Sequence, residues 1–286
     1  MPNIRQIRRR IRSVQNTAKI THAMEMIAGA KMRRAQERGL AGRPYSRQIR
    51  GVLGHLAAQA QGPDIVHPLM ERRPVQRFEI IHITSDRGLC GGLNSNMNRL
   101  TASFILQGGV PASAITVGRR GRDFMTRYLR EVRADFSFLG DRPSLLDTIP
   151  IARVAIEDFT SEFADEVYLA YTQFVNTVVQ RPVIEKLLPV EPAEEETQWS
   201  LEYLYEPNPA TIIEALLPRY VEMEVFHAVL EHMASEQSAR MVSMRNATEN
   251  ANDLIKDLTL LSNKVRQETI TKELLDIVGG AAVLTE

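Results

Sequence analysis

Residues 219–278 read RYVEMEVFHAVLEHMASEQSARMVSMRNATENANDLIKDLTLLSNKVRQETITKELLDIV, sixty consecutive positions without a glycine or a proline. At ~1.5 Å per residue such a run can form roughly 90 Å of unbroken helix, about five times the length of an ordinary globular helix. Phe226, Leu230, Met233, Gln237, Met241, Met244, Thr248, Ala251, Ile255 and Leu258 form one stripe at steps of three and four. Leu261 and Val265 carry it on, followed by Ile270, Leu274, Ile277, Ala281 and Leu284. This is the spacing of a coiled-coil face. A helix this long cannot be enclosed by a chain of 286 residues and needs a partner.

The other end of the chain supplies a candidate. Residues 3–28 also lack Gly and Pro, and Ile4, Ile7, Ile11, Val14 and Ala18 recur at alternating steps of three and four. The stripe then drifts towards Ala23, Met24 and Ile27, as a straight helix drifts against a seven-residue repeat. Glycines 29, 39 and 42 weaken the pattern without ending it, so the spacing predicts one helix to about residue 57. Pro218 predicts a kink or a fresh helix start before the long C-terminal run.

Between the helices the period changes. Phe78–Thr84 is a short β-rich run, followed by a Gly-rich turn and a helical pattern over about 94–107. Ala114–Val117 is a second strand candidate, with a helix over about 119–129. Val132–Phe138 alternates weakly, Ile151–Phe163 reads as helix, Glu166–Phe174 as strand, and Val183–Val190 as an edge strand. Strands alternating with helices indicate a small parallel or mixed α/β domain. The predicted architecture is α/β plus long helices: an antiparallel coiled coil of the termini (1–57 and 208–286) with a Rossmann-like domain (75–190) at its side. The acidic stretch Glu191–Glu196 reads as a linker or exposed loop.

Lys+Arg and Asp+Glu balance at 35 each, but residues 1–50 hold thirteen basic and two acidic residues. That segment is +11 and the remainder −11, which suggests an acidic partner: nucleic acid, a membrane surface or an acidic protein face. Cys90 is the only cysteine, which excludes an intrachain disulfide and a thiol metal cluster. No apolar run is long enough to cross a bilayer, and no secretory h-region follows the N-terminal arginines. The first 24 residues are Arg-rich and acid-free, as in a mitochondrial transit peptide, but their helical pattern runs on past Met24. The C-terminal stretch Leu274–Leu284 is apolar on two faces, because Leu275, Val278, Ala282 and Val283 add a second stripe. Such a tip is an association liability unless another protein encloses it.

Few residues carry catalytic signals. Gly88-Leu-Cys-Gly-Gly92 follows a strand and precedes a helix, where a phosphate cradle would sit, yet it lacks the Gly-x-Gly-x-x-Gly spacing and a P-loop lysine. It reads as a structural turn with a partner contact, and Cys90 as a small buried residue rather than a nucleophile. His227 and His232 are five apart and do not stack as metal ligands. Met233, Met241 and Met244 are explained by helix packing. The reading is of a chain that catalyses nothing, with no cofactor and no direct small-molecule ligand.

Five stretches in order carry a resemblance over nearly the whole chain: Ile4–Met26 (IRQIRRRIRSVQNTAKITHAMEM), Ser85–Asn94 (SDRGLCGGLN), Tyr203–Pro207, Ser235–Met241 (SEQSARM) and Ile270–Asp276 (ITKELLD). Together they resemble the gamma subunit of F-type rotary ATP synthases. The resemblance implies a rotor shaft that couples proton flow to ATP synthesis or hydrolysis at beta-subunit catalytic sites. Its coiled coil would thread a hexamer of alpha and beta subunits, and its foot would bind the epsilon subunit and the membrane ring of c subunits.

By matched position, Met24 would lie near an acidic lever of beta, supported by Arg240, and Arg266, Gln267 and Thr271 would touch a catch loop on beta. Arg43, Pro44, Tyr45, Tyr205 and Glu206 would belong to the foot. Leu274, Ile277, Val278, Ala281, Val283 and Leu284 would turn in an apolar bearing. His22, where the family commonly has lysine, Val283 and Pro218 depart from the pattern. Cys90 alone cannot form the chloroplast type of thiol switch. The implied place is the cytoplasmic face of a bacterial plasma membrane, peripheral to it. The reading set against this one is a coiled-coil nucleic-acid binder using the basic arm, but that arm has no aromatic before Tyr45 and no reading module. A nucleotide-dependent α/β enzyme would require activity in the isolated chain. The resemblance therefore implies the rotor, with no nucleic acid among its partners.

Overall fold

The computed structural model describes residues 3–59, 67–129, 131–191 and 208–283; the side chains at 40–47, 50, 52–59, 209 and 279–283 are outside the description. In chain order the elements are α1 (Ile4–Gln59), β1 (Phe78–Ile83), α2 (Leu93–Gly108), β2 (Ala112–Val117), α3 (Arg119–Tyr128), β3 (Val132–Phe136), α4 (Leu145–Thr160), β4 (Glu166–Phe174), β5 (Gln180–Leu188) and α5 (Pro209–Val283). The residues divide into two compact units, 28–240 and 1–27 with 241–286.

In the first unit the strands form one sheet in the order β3-β2-β1-β4-β5. β1 pairs in parallel with β2 and β4, β2 in parallel with β3, and β5 runs antiparallel along β4 at the edge. Pro182 sits in this edge strand, where its missing N–H costs no ladder bond on the open side. All six residues of β1 are buried, because helices cover both faces of the sheet. Ile81, Ile83, Ile115, Val117 and Leu169 pack with Ile151 and Phe159 of α4 and with Leu217, Val221 and Val225 of α5. On the other face Phe78, Ile80 and Ala170 meet Met97, with Phe104 and Tyr168 closing an aromatic triangle around Phe78.

Most element ends differ from the sequence reading by one to three residues, β2 for example beginning at Ala112, and three differences go further or have a clear cause. α4 begins at Leu145, six residues before Ile151, despite Pro150 inside it. A capping box between Ser144 and Asp147 holds its first turn, with the Asp147 carboxylate accepting from the Ser144 N–H at 2.7 Å. β5 begins at Gln180 rather than Val183. Asn176 draws the hairpin turn tight, its side-chain oxygen accepting from the N–H groups of Val178 and Val179. α5 starts at Pro209 and runs on through Pro218, so no fresh helix starts there. Proline removes one helix bond, but Leu217 and Val221 on either side are fully buried against the sheet, and that packing holds the turn.

The same packing explains a shift in the α5 stripe. Over the sheet Leu217, Val221, Val225, Ala228, Ser235 and Ser238 are fully buried and His232 nearly so; of the stripe read from the sequence, Leu230 and Gln237 are buried while Phe226 and Met233 lie at the margin. This part of α5 is covered on more than one side, and a one-stripe reading finds only one of its faces.

In the second unit the two chain ends pair antiparallel. Ile7 packs with Leu258 and Val265, with Ile4, Ile11 and Val14 beside them. Further along, the hydroxyls of Thr21 and Thr248 hydrogen-bond at 2.7 Å. Rising numbers in α1 therefore meet falling numbers in α5, as the paired stripes predict. Two details are corrected. Ile27 and Ala23 are exposed, and the buried seam of α1 passes through Thr21. In α5 the seam passes through Ser262, leaving Leu261 41 % exposed. In both cases a small polar residue occupies a position that a search for apolar residues passes over. α5 spans 75 residues, roughly 110 Å at the helical rise.

Candidate functional site

Within the sheet unit, the Gly-rich turn after β1 closes on itself. Leu89 and Gly91 adopt left-handed backbone (φ 64° and 59°). Asn94, in the first turn of α2, accepts from the Ser85 N–H (3.1 Å) and the Ser85 hydroxyl (3.0 Å), and its amide donates to Cys90 Sγ at 3.3 Å. The Ser85 N–H that a phosphate cradle would offer to an anion is thus taken by a side chain of the same turn. Cys90 is buried, and burial raises its thiol pKa, the opposite of what a nucleophile needs. Asp86 accepts from the N–H groups of Arg119 (3.0 Å) and Phe138 (3.1 Å), so the loops that follow β1, β2 and β3 are tied at one carboxylate.

α5 is fastened to the same end of the sheet by side chains that reach backbone. Glu231 accepts from the Phe174 N–H (3.0 Å), Ser235 donates to the Thr172 carbonyl (3.0 Å), Ser238 donates to the Thr177 carbonyl (2.7 Å), and Arg240 donates to the Gly88 carbonyl (3.2 Å). Arg240 also pairs with Glu236 one turn earlier. An i, i+4 Glu–Arg pair within Ser235–Met241 is a sequence signal that could have marked Glu236. Asp86 had none beyond its place in the turn.

The sequence-predicted contact residues are placed as follows. Met24 is half-buried on α1. Arg240 is half-buried, and its guanidinium is engaged by Glu236 and Gly88. Arg266, Gln267 and Thr271 are exposed on α5, with Gln267 and Thr271 on one shallow surface beside Lys264, Lys272 and Leu275. Leu274, Ile277 and Val278 are exposed, Ile277 by 68 %. Ala281 and Val283 are helical in backbone with side chains outside the description, and Leu284 lies outside the described residues. Arg43, Pro44 and Tyr45 fall within α1, again with undescribed side chains, and Tyr205 and Glu206 lie outside the described residues.

Among the described residues no group of three or more His, Cys, Asp or Glu could hold a metal ion, and no helix is long and apolar enough to cross a membrane. His82 in β1 is fully buried, hydrogen-bonded to Asn98 (2.8 Å) and Thr101 (3.1 Å). Burial pushes its pKa down to about 4, so the ring is neutral.

The sequence profile of the ATP synthase family described as "ATP synthase" matches residues 3–284. The chain is 61% identical over 284 residues to the ATP synthase gamma chain of Dehalococcoides mccartyi, covering 99% of this chain and 100% of that one. It is 49% identical to the ATP synthase gamma chain of Roseiflexus castenholzii, covering 100% of both. Among solved structures, a chain of the Euglena gracilis mitochondrial ATP synthase (OSCP/F1/c-ring) superposes with a TM-score of 0.68 at 20% identity, over 98% of this chain and 94% of that one. A chain of the Tetrahymena thermophila mitochondrial ATP synthase central stalk and c-ring gives 0.64 at 23%, over 80% and 99%. At that identity the structural likeness speaks for the fold, while the sequence matches run the full length. The chain belongs to the ATP synthase gamma chain family.

Proposed function

We propose that this chain is the central rotor shaft of a proton-translocating F-type ATP synthase and is itself non-catalytic. The observation that carries the proposal is the antiparallel pairing of the chain ends, in a chain that matches ATP synthase gamma chains from end to end. In this reading the helices of 1–57 and 208–286 are the shaft and 75–190 its side domain. An off-axis shaft meets three beta subunits differently and biases each towards a different nucleotide affinity. Only a difference in contact free energy between their conformations can shift those equilibria. The alpha–beta hexamer, the epsilon subunit and the c ring are its proposed partners, and the cytoplasmic side of a bacterial plasma membrane its place.

In the same reading Met24, Arg266, Gln267 and Thr271 face beta subunits. Arg240 acts through the turn it holds, since its guanidinium is engaged by Glu236 and Gly88. Arg43, Pro44, Tyr45, Tyr205 and Glu206 form the foot. Leu274, Ile277, Val278, Ala281, Val283 and Leu284 turn in an apolar bearing, which gives a place to the exposed Leu274, Ile277 and Val278. Co-expression with alpha and beta subunits tests the whole reading. One copy per alpha–beta ring, with ATPase activity lost when the chain is omitted, is the expected result. A chain that purifies alone and ignores alpha and beta overturns it.

The exposure of Arg266 and Gln267 makes their role separable from folding, because exposed substitutions usually change stability by less than ~0.5 kcal/mol. Changing both to alanine is expected to lower coupled ATP synthesis about tenfold, equivalent to ~1.4 kcal/mol of contact. The melting temperature of the chain should stay where it was. Synthesis at the wild-type rate in membrane vesicles would remove both residues from the proposed contact.

A further inference from the structure

His232 of α5 is 2 % exposed, and neither of its ring nitrogens has a hydrogen-bond partner among the described residues. A neutral imidazole carries one donor and one acceptor, and leaving both unmet in an interior is costly. Burial, reinforced by His82 and Arg240, pushes the pKa of His232 down to about 3, so the ring does not escape the problem by ionising. His232 lines a cavity of about 50 Å³ at the C-terminal ends of β1 and β2, whose walls are half apolar, with Val117, Leu139 and Val229 among them, and half polar or glycine, with Thr84, Asp86 and Glu236.

The walls decide what the cavity can take. Asp86 and Glu236 would repel an anion. Among the described residues, no set of three ligating side chains converges to hold a metal. The volume is too small for an organic ligand of ordinary size. It exceeds the ~10–15 Å³ that admits one water, and the Asp86 and Glu236 carboxyl groups on the walls, with His232, offer the two to four partners such a water needs.

We infer that this cavity is a structural hydration site in which ordered water satisfies His232 and bridges α5 to the ends of β1 and β2. The site does not stand alone on its helix. Glu236 follows His232 by one turn, pairs with Arg240 a turn later, and Arg240 reaches the Gly88 carbonyl. Water at His232 adds the inner rung to a polar ladder that ends on the Gly-rich turn.

A crystal structure of the full chain, at a resolution that places ordered water, tests the inference. The expected result is a density peak within hydrogen-bond distance of a His232 ring nitrogen. His232→Phe, whose larger apolar ring occupies the space, is expected to lose that peak. A dry cavity in the wild-type chain, or a ring nitrogen bonded directly to protein, overturns the proposal. So does a peak that persists unchanged in His232→Phe. Should the variant fail to fold, nitrogen spectra of the histidine-labelled wild-type chain decide: an exchange signal between the His232 N–H and water supports the site, and its absence overturns it.

Discussion

Gly118→Ala is expected to unfold the sheet unit at temperatures where the wild-type chain is intact. Gly118 has φ 90° and ψ 140°, a region that residues with a side chain enter only under strain. The larger problem is space. A methyl group there would stand 2.0 Å from the Thr84 carbonyl oxygen and 2.8 Å from its carbon. Neither backbone can move aside cheaply. The Thr84 N–H donates to the Val117 carbonyl (2.8 Å), the Gly118 N–H donates to the Phe136 carbonyl (3.1 Å), and the Thr84 hydroxyl accepts from the Gly121 N–H (2.7 Å). Relief of the clash therefore pulls β1, β2, β3 and the start of α3 apart. The expected cost exceeds ~4 kcal/mol, a large part of the ~5–15 kcal/mol that holds a domain together.

Gly109→Ala is the matched control. Gly109 is also left-handed (φ 66°), but nothing lies within 4 Å of the added methyl, so only the ~1–2 kcal/mol of backbone strain is expected. Urea unfolding of the two variants separates the effects. Equal midpoints for Gly118→Ala and Gly109→Ala would show that the close approach at Thr84 carries no weight.

Glu79→Gln is expected to flatten the pH dependence of stability and to stabilise the chain at alkaline pH. Glu79 is fully buried in β1 and accepts from the Ser113 hydroxyl through Oε1 (3.2 Å), while Oε2 has no donor. Asp158 of α4 is near enough to raise its pKa, and Asp158 already receives the Arg133 guanidinium in a fork at 2.9 and 2.7 Å. One guanidinium cannot neutralise two carboxylates, so the second keeps its proton. Burial first, and Asp158 next, push the Glu79 pKa up to about 8.

The folded chain therefore binds this proton more tightly than the unfolded one. The stability it confers is complete below the ordinary carboxylate range and declines as pH rises towards about 8. The slope is at most ~1.4 kcal/mol per pH unit for one proton. Glutamine keeps the shape and has no proton to lose. Melting temperatures from pH 5 to 9 should fall for the wild-type chain and stay level in Glu79→Gln relative to it. Parallel profiles would mean that Glu79 is already ionised at neutral pH.

These two positions show where sequence reading stops. The long helices were legible because a stripe at steps of three and four is a one-dimensional signal, and so was the alternation of β1, β2 and β4 with helices. Glu79 and His82 lie three apart in Phe78–Ile83 and so point to opposite faces of the strand, where each reads as a polar residue turned to water. They are buried because helices cover both faces of the sheet, which is a property of the whole topology. His232 and Glu236 read as ordinary helix-surface residues for the same reason. Thr248 already stands on the α5 stripe, but its partner Thr21 lies 227 positions away and is not apolar, so the α1 side of the seam runs beside the line read from the sequence. The start of α4 at Leu145 is set by the Ser144–Asp147 capping box, upstream of the run from Ile151 whose pattern reads as helix. Of the proposed contacts, the catch residues emerge as exposed, whereas Tyr205 and Glu206 lie outside the described residues.

Four of the bonds that fasten α5 to the sheet, from Glu231, Ser235, Ser238 and Arg240, share one trait: each ends on main chain. A grip between two side chains can be slackened by a rotamer hop in picoseconds to nanoseconds. Here only the α5 end of each bond is a side chain; the far partner is a peptide group at the end of β4, in the β4–β5 turn or in the turn after β1, and it moves only with its segment. The arrangement works as a spline works on an axle. A twist applied about this stretch of helix loads the sheet at three of its connections at once.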